Sequence, residues 1–345
     1  MKKTFQMICL AAVVLAACSK QTNLLLDPPV LLGVNVGISM EPATKAIITG
    51  TAFSNGHQIG VQVLTEAGAI YETGALTNVM FSFDGADWST LTPFYLTNTT
   101  GKVHAYYPYV DRSDLGGGET NAELFTTIPV SVPASLTTGN ETDYMYATPI
   151  TGAGDVVSNA TGRNTAALTM NHAMTQISFL VYKENYPGTG SFTAFSIEDV
   201  GATDHIIVNE DPNDLAMNIT TGAITGGQTG VIARTLAAAR TLEVANPADE
   251  PDKYPSNVAA TLRTQVATKG TTTLLVPTGE IGAGEVKFSF TIDGKTSSVN
   301  NSSVITWLPG KQYIYKVKFS GTALEITSVT ITDWDPQVGD DVEID

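Results

Sequence analysis

The feature that most narrows the folds open to this chain is a two-residue apolar alternation, carried by short segments and broken by turn residues. In Val286–Ile292 the side chains of Val286, Phe288, Phe290 and Ile292 fall on one face, Lys287, Ser289 and Thr291 fall on the other, and Asp293-Gly294 follows. Successive side chains point to opposite faces of a strand, and Asp-Gly tolerates the positive φ angles of a two-residue hairpin. The spacing therefore predicts a half-buried antiparallel strand with its turn. After Pro309-Gly310, Tyr313, Tyr315, Val317 and Phe319 alternate with Ile314, Lys316 and Lys318. Between Leu324 and Trp334 the phase changes from Leu324/Ile326 to Val329/Ile331, which predicts a bulge near Thr327-Ser328. The run from Met174 to Tyr182 is apolar on both faces, the mark of a central strand.

The same reading predicts strands over residues 58–64, 79–83, 102–109, 124–130, 144–148, 166–172, 193–200 and 272–276, with a further one at Leu31 to Ile38. Composition argues the same way. Charged residues are 15% of the chain, against roughly 25% in ordinary globular proteins. The 48 threonines favour pleated strands over helices. The one stretch with good helix propensity is Ile232 to Ala245, through Leu236, Ala237, Ala238, Ala239, Arg240 and Leu242, and a short helical connector is expected there. The expected fold is all-β, two tandem β-sandwich domains over residues 46–173 and 174–345, with the connector in the second.

The first residues are a separate signal. Lys2 and Lys3 precede a mostly apolar run, Phe5 to Val14, which reads as a secretory signal peptide over residues 1–17. The run is shorter than the ~20 residues of a membrane helix. It ends in Leu15-Ala16-Ala17-Cys18, which closely resembles the lipobox of bacterial lipoproteins. That resemblance implies cleavage between Ala17 and Cys18 and lipid attachment, including palmitate, at Cys18; the other reading is plain secretory cleavage with a chance cysteine. Acyl chains in combination anchor stably, and Ser19 in place of Asp is compatible with outer-membrane sorting. Residues 18–45 then read as tether and first strand. Cys9 and Cys18 are the only cysteines, so the body of the chain offers no disulfide, thiolate ligand or cysteine nucleophile.

Formal net charge is −16, which repels phosphate backbones and argues against nucleic-acid partners. No cofactor or metal motif is present. His57, His104, His172 and His205 lack paired zinc-ligand spacing, and His172 reads as a packed structural residue. The acidic clusters at Asn209 to Asp214 and at Asp249-Glu250 with Asp252 offer oxygen ligands but not the spacing of a calcium loop. Trp307 and Trp334 end predicted strands and read as core plugs, although tryptophans also stack on sugars.

The order of the punctuating residues resembles the fimbrillin family of Bacteroidetes outer-membrane lipoproteins, including type V pilins. The resemblance rests on Phe53 with Asn55-Gly56 and Ile59-Gly60-Val61, on Phe83-Asp84-Gly85 with Trp88, and on Tyr106-Tyr107-Pro108-Tyr109. It continues through Asp143-Tyr144-Met145-Tyr146-Ala147, Leu168 to Met174, Leu308-Pro309-Gly310-Lys311-Gln312-Tyr313 and Val329 to Trp334. Pro277-Thr278 departs from the Pro-Gln pair expected after Leu274-Leu275-Val276.

The resemblance implies transthyretin-like sandwiches and no catalysis. It also implies assembly in which a trypsin-like protease removes the first strand and a strand from another pilin subunit replaces it. Here the strand removed would carry Val34, Val36 and Ile38. The first basic residue after it is Lys45, so the expected maturation cut lies between Lys45 and Ala46, with a solvated loop lysine as the alternative. The tail after Trp334 reads either as a frayed acidic end or as a short edge strand through Val338, Val342 and Ile344. The expected role is a structural or adhesive subunit of a surface fimbrium, with host or bacterial ligand open. The alternatives are a glycan-binding surface lipoprotein and, second, a surface hydrolase.

Overall fold

The computed structural model describes residues 30–38, 53–71, 77–115, 124–136, 141–148, 156–160, 162–201, 203–209, 211, 214–244, 271–320, 323–333 and 342–344. These residues are all-β. They hold no α-helix, and their one helical turn is the 3-10 turn Arg112–Leu115.

The first body is built from β1 (Val30–Leu31), β2 (Gly33–Ile38), β3 (Gln58–Thr65), β4 (Val79–Phe83), β5 (Trp88–Ser89), β6 (Tyr95–Leu96), β7 (Gly101–Tyr107), β8 (Met145–Thr148) and β9 (Thr165–His172). The main sheet runs β2-β9-β8-β7-β3-β4-β5, with Val156–Val157 also paired to β7. Its pairs are antiparallel except β2 with β9, which is parallel. Alternation decides what this sheet buries. On β9, Ala166, Leu168 and Met170 face the core and Thr165, Ala167 and Thr169 face out. They join Ile59, Val61 and Val63 of β3, Phe81 of β4 and Val103 and Ala105 of β7 in one apolar cluster.

The second body contains β10 (Thr175–Lys183), β11 (Ser191–Asp199), β12 (Val231–Thr241), β13 (Thr271–Leu275), β14 (Val286–Ile292), β15 (Lys295–Asn300), β16 (Lys311–Phe319), β17 (Leu324–Asp333) and β18 (Val342–Ile344). One sheet runs from Glu243–Val244 through β10, β16 and β17 to β18, with β13 also on β10. A second runs β15-β14-β11-β12 and ends on Ser135–Leu136. Aromatic rings fill the space between. The Phe179 ring lies 5.1 Å from Phe195, 5.1 Å from Phe290 and 5.7 Å from Tyr315, in edge-on or tilted geometries that suit the ring quadrupole. Phe125, Ile128, Val130, Val132 and Leu136 belong to this larger core although they precede β9. The segment 127–129 accordingly pairs with Leu215–Asn218 of the second body.

The hairpin read at Asp293-Gly294 is present: Ile292 pairs with Lys295, and both turn residues have positive φ, 48° and 74°. The bulge read near Thr327 is present too, since Lys316 pairs with Ser328 and Val317 with Ile326, leaving Thr327 without an opposite residue. Trp307 is buried as expected, its indole N–H donating to Tyr315 Oη at 3.1 Å.

The helical connector is overturned. Val231–Thr241 is a strand antiparallel to β11, with Ile232 opposite Ile197 and both fully buried. Helix propensity is a weak prior, and pairing along β11 overrides it. The alanine run leaves its trace as a bulge: Ala194 pairs with Thr235 and Phe192 with Arg240, so Leu236 to Ala239 bow out between them. The strand expected over Leu31 to Ile38 is also broken at Leu32 into β1 and β2.

Candidate functional site

The segment Val30–Ile38 ties the two faces of the first body together. Val30 and Leu31 pair antiparallel with Leu96 and Tyr95. Leu32 N then donates to Phe94 O at 2.8 Å, and Gly33 N donates to Asn164 O at 2.8 Å, which carries the chain across to β9. From Gly33 onward β2 runs parallel to β9, so that Val34 stands beside Ala166, Val36 beside Leu168 and Ile38 beside Met170. Leu32, Val34 and Ile38 are buried, Val36 is half-buried, and Asn35 and Gly37 are exposed. Full burial of such a side chain stabilises by roughly 1.5–3 kcal/mol. Among the described residues β2 ends the sheet path and is hydrogen-bonded as a strand to β9 alone.

The far end of the path folds back toward it. β5 contacts β2, and Val36 packs on the core together with Phe83, Trp88 and Tyr107. Behind them the Phe53 ring sits 5.0 Å from Trp88, edge-on, and 5.7 Å from Tyr107. Trp88 is half-buried in this cluster.

The punctuating motifs meet in space. Gly60 pairs with Tyr106, and a Cβ at Gly60 would lie 2.1 Å from the Tyr106 ring, so the glycine of one motif is what seats the tyrosine of another. Asp84 Oδ1 accepts from Ala86 N at 2.9 Å and Asp87 N at 2.8 Å, closing the turn into Trp88. Those donated hydrogen bonds, Asp87 first, hold the Asp84 carboxyl below the usual range. Met145 pairs with His172 and Ala147 with Met170, while His172 Nδ1 meets Asp143 Oδ2 at 2.9 Å, both side chains buried. Gly310 N donates to Met174 O at 2.9 Å and Thr175 Oγ1 to Leu308 O at 2.7 Å, docking the Leu308-Pro309-Gly310 turn where β10 begins.

At the other terminus β18 lies antiparallel on the outer edge of β17, with Val329 beside Ile344 and Ile331 beside Val342. Of the tail, Val342–Ile344 is therefore an edge strand in the same chain, and Val338 lies outside the described residues.

The histidines stand apart from one another. His57 Nδ1 accepts from Ser54 N at 3.2 Å, His104 lies on β7 opposite Gln62, and His205 Nε2 meets Glu285 Oε2 at 3.1 Å. Among the described residues no three His, Cys, Asp or Glu side chains gather as metal ligands. In the first acidic cluster Asn209 Oδ1 accepts from Val132 N at 2.6 Å and Asp214 Oδ2 from Asp211 N at 3.3 Å, bonds that shape the loop itself. The second cluster, together with Ala17, Cys18, Lys45, Ala46 and Trp334, lies outside the described residues.

Two contributions escape a reading from residue patterns. Leu32 inserts beside Phe94 although nothing separates it from Leu31 in sequence. Glu141 accepts from Thr273 Oγ1 at 2.7 Å and Leu274 N at 3.0 Å and pairs with Arg234, linking the start of β8 to the second body. Burial, with Arg240 adding, pushes the Arg234 guanidinium down to about 10.

Comparison with known proteins fits this architecture. The fimbrillin-like family profile matches residues 44–334. A protein from Bacteroides ovatus ascribed to cell adhesion superposes with a TM-score of 0.56 at 16% identity, over 90% of this chain and 99% of that one. A second such protein, from Bacteroides uniformis, gives 0.54 at 15% over 89% and 99%. A fimbrial protein from Bacteroides vulgatus gives 0.53 at 15% over 88% and 99%. At these identities the likeness speaks for the fold. No curated protein sequence matches. With the profile spanning most of its length, the chain belongs to the fimbrillin-like family.

Proposed function

We propose that this chain is a structural or adhesive fimbrial subunit at the cell surface, made as an outer-membrane lipoprotein tethered at Cys18 and acting by association rather than catalysis. Its partners are other pilin subunits. A trypsin-like protease cuts between Lys45 and Ala46, residues 18–45 leave, and a strand from a neighbouring subunit enters the vacated place between β9 and the aromatic cluster around Trp88. The remaining chain works as two sandwiches, residues 46–173 and 174–345, with residues 124–136 of the first stretch reaching across into the second core.

The observation that carries this reading is the placement of β2: among the described residues it is terminal in its sheet and paired with β9 alone, yet it buries Val34 and Ile38. Losing such a strand uncovers both a row of backbone donors and acceptors and a strip of core, a surface that captures extended chains. The test is digestion of the purified precursor with an Arg/Lys-specific protease, followed by mass spectrometry and gel filtration. Cleavage after Lys45 with SDS-resistant multimers is the expected result; Lys45→Ala should abolish both. A clipped protein that stays monomeric would remove the proposal.

A further inference from the structure

The pole of the first body at which the tether enters carries an apolar surface that the assembly account does not use. Leu31 and Tyr95 are directly opposite partners on β1 and β6, hence on one face, and are 50% and 53% exposed. The alternation that sends Leu32, Phe94 and Leu96 into the core turns these two outward.

Charge sets this surface apart. The chain has 18 basic and 34 acidic residues, yet residues 28–40 and 88–101 contain none of either. Charges of both signs border these stretches. Glu66 Oε1 accepts from Thr100 Oγ1 at 3.0 Å, and Arg163 closes the turn whose Asn159 N donates to Thr97 O at 2.8 Å. On a protein of net charge −16 this is a locally neutral pole.

Its position supplies the occupant. β2 begins beside Thr165, whereas β9 ends at His172 and continues into β10, so the tethered pole is the one remote from the second body, separated by about 23 Å of strand. Eleven residues separate Cys18 from Val30, a reach of at most about 43 Å.

We propose that in the tethered precursor the Leu31 and Tyr95 face rests on the lipid bilayer that holds Cys18. This rests on the lipoprotein reading above. Tyrosine and leucine suit the headgroup boundary, and a neutral face lets an acidic protein approach it without repulsion. Contact at this pole holds β1 in place and points the second body away from the membrane.

The body of the chain has no thiol after Cys18, so Tyr95→Cys carries a single environment-sensitive fluorophore, and Lys295→Cys, on the exposed hairpin of the second body, is its control. The acylated precursor is reconstituted in phosphatidylcholine vesicles containing brominated acyl chains. The expected result is quenching at position 95 and none at 295. In the unlipidated Cys18→Ser chain, Tyr95→Asp should lower vesicle partitioning about tenfold.

An acylated, vesicle-bound protein whose fluorophore at 95 stays as water-exposed as that at 295 would overturn the inference. So would shielding of position 95 that needs no vesicles and grows with protein concentration, since the occupant is then a second copy. If mass spectrometry finds Cys18 unmodified in cells, the tether reading fails separately. The partitioning of the unlipidated chain then decides this surface alone, upheld by Tyr95-dependent binding and ended by none.

Discussion

Gly60 and Tyr106 show at the residue scale why this family's sparse motifs sit where they do. Any side chain at position 60 meets the Tyr106 ring at 2.1 Å, and Tyr106 is itself fixed by donating to Asn78 Oδ1 at 2.7 Å. Gly60→Ala should therefore cost about 1–3 kcal/mol, as overpacking does elsewhere, read as a lower urea midpoint with unchanged slope. A midpoint equal to the parent's would contradict the packing. Titration offers a second check. Burial, with Lys102 adding, holds His104 below the usual imidazole range, and burial does the same for His57. His104 Nδ1 is buried without a hydrogen-bond partner. Below about pH 6.5 the unfolded chain binds these protons before the folded chain does, so stability should be flat from pH 8 to 7 and decline from about 6.5 toward the depressed folded values. His104→Gln should flatten that decline. The carboxylates of Asp84 and Asp293, held low chiefly by the Asp87 amide and the Tyr186 hydroxyl, act in a separate window: their stabilisation is present above about pH 4 and fades as pH falls through their folded values.

At the scale of elements, the tail gives a clean prediction. Ending the chain at Trp334 removes β18 and leaves the Val329 to Ile331 edge of β17 open, so those amides should exchange faster while those of β16 facing β10 keep their protection. Equal exchange with and without the tail would mean that β18 does not pair. How much of this was legible follows from the range of the forces involved. The Val286 strand with its Asp-Gly hairpin and the Thr327 bulge are written locally, in period and turn chemistry, and the structure holds both. The Ala-rich stretch of β12 is not written locally, because what makes it a strand is the partner β11, not its own propensity. The parallel pairing of β2 with β9 joins residues more than a hundred positions apart, and no local pattern specifies it. The candidate site was thus legible as residues, Val34, Val36 and Ile38, but not as an edge.

At the scale of the whole molecule, the two bodies are in series. β9 buries the first strand on one flank and leads through Ala173-Met174 into β10, which is the centre of the second core. If β2 is a removable completion of the first body, the β9 amides within Thr165–Met170 that point at β2 report its loss most directly, by hydrogen exchange before and after cleavage at Lys45. Protection should be high in the precursor, lost in freshly clipped monomer and restored in multimers as another strand takes the vacant place. Protection that survives removal of residues 18–45 in a protein remaining monomeric would contradict it.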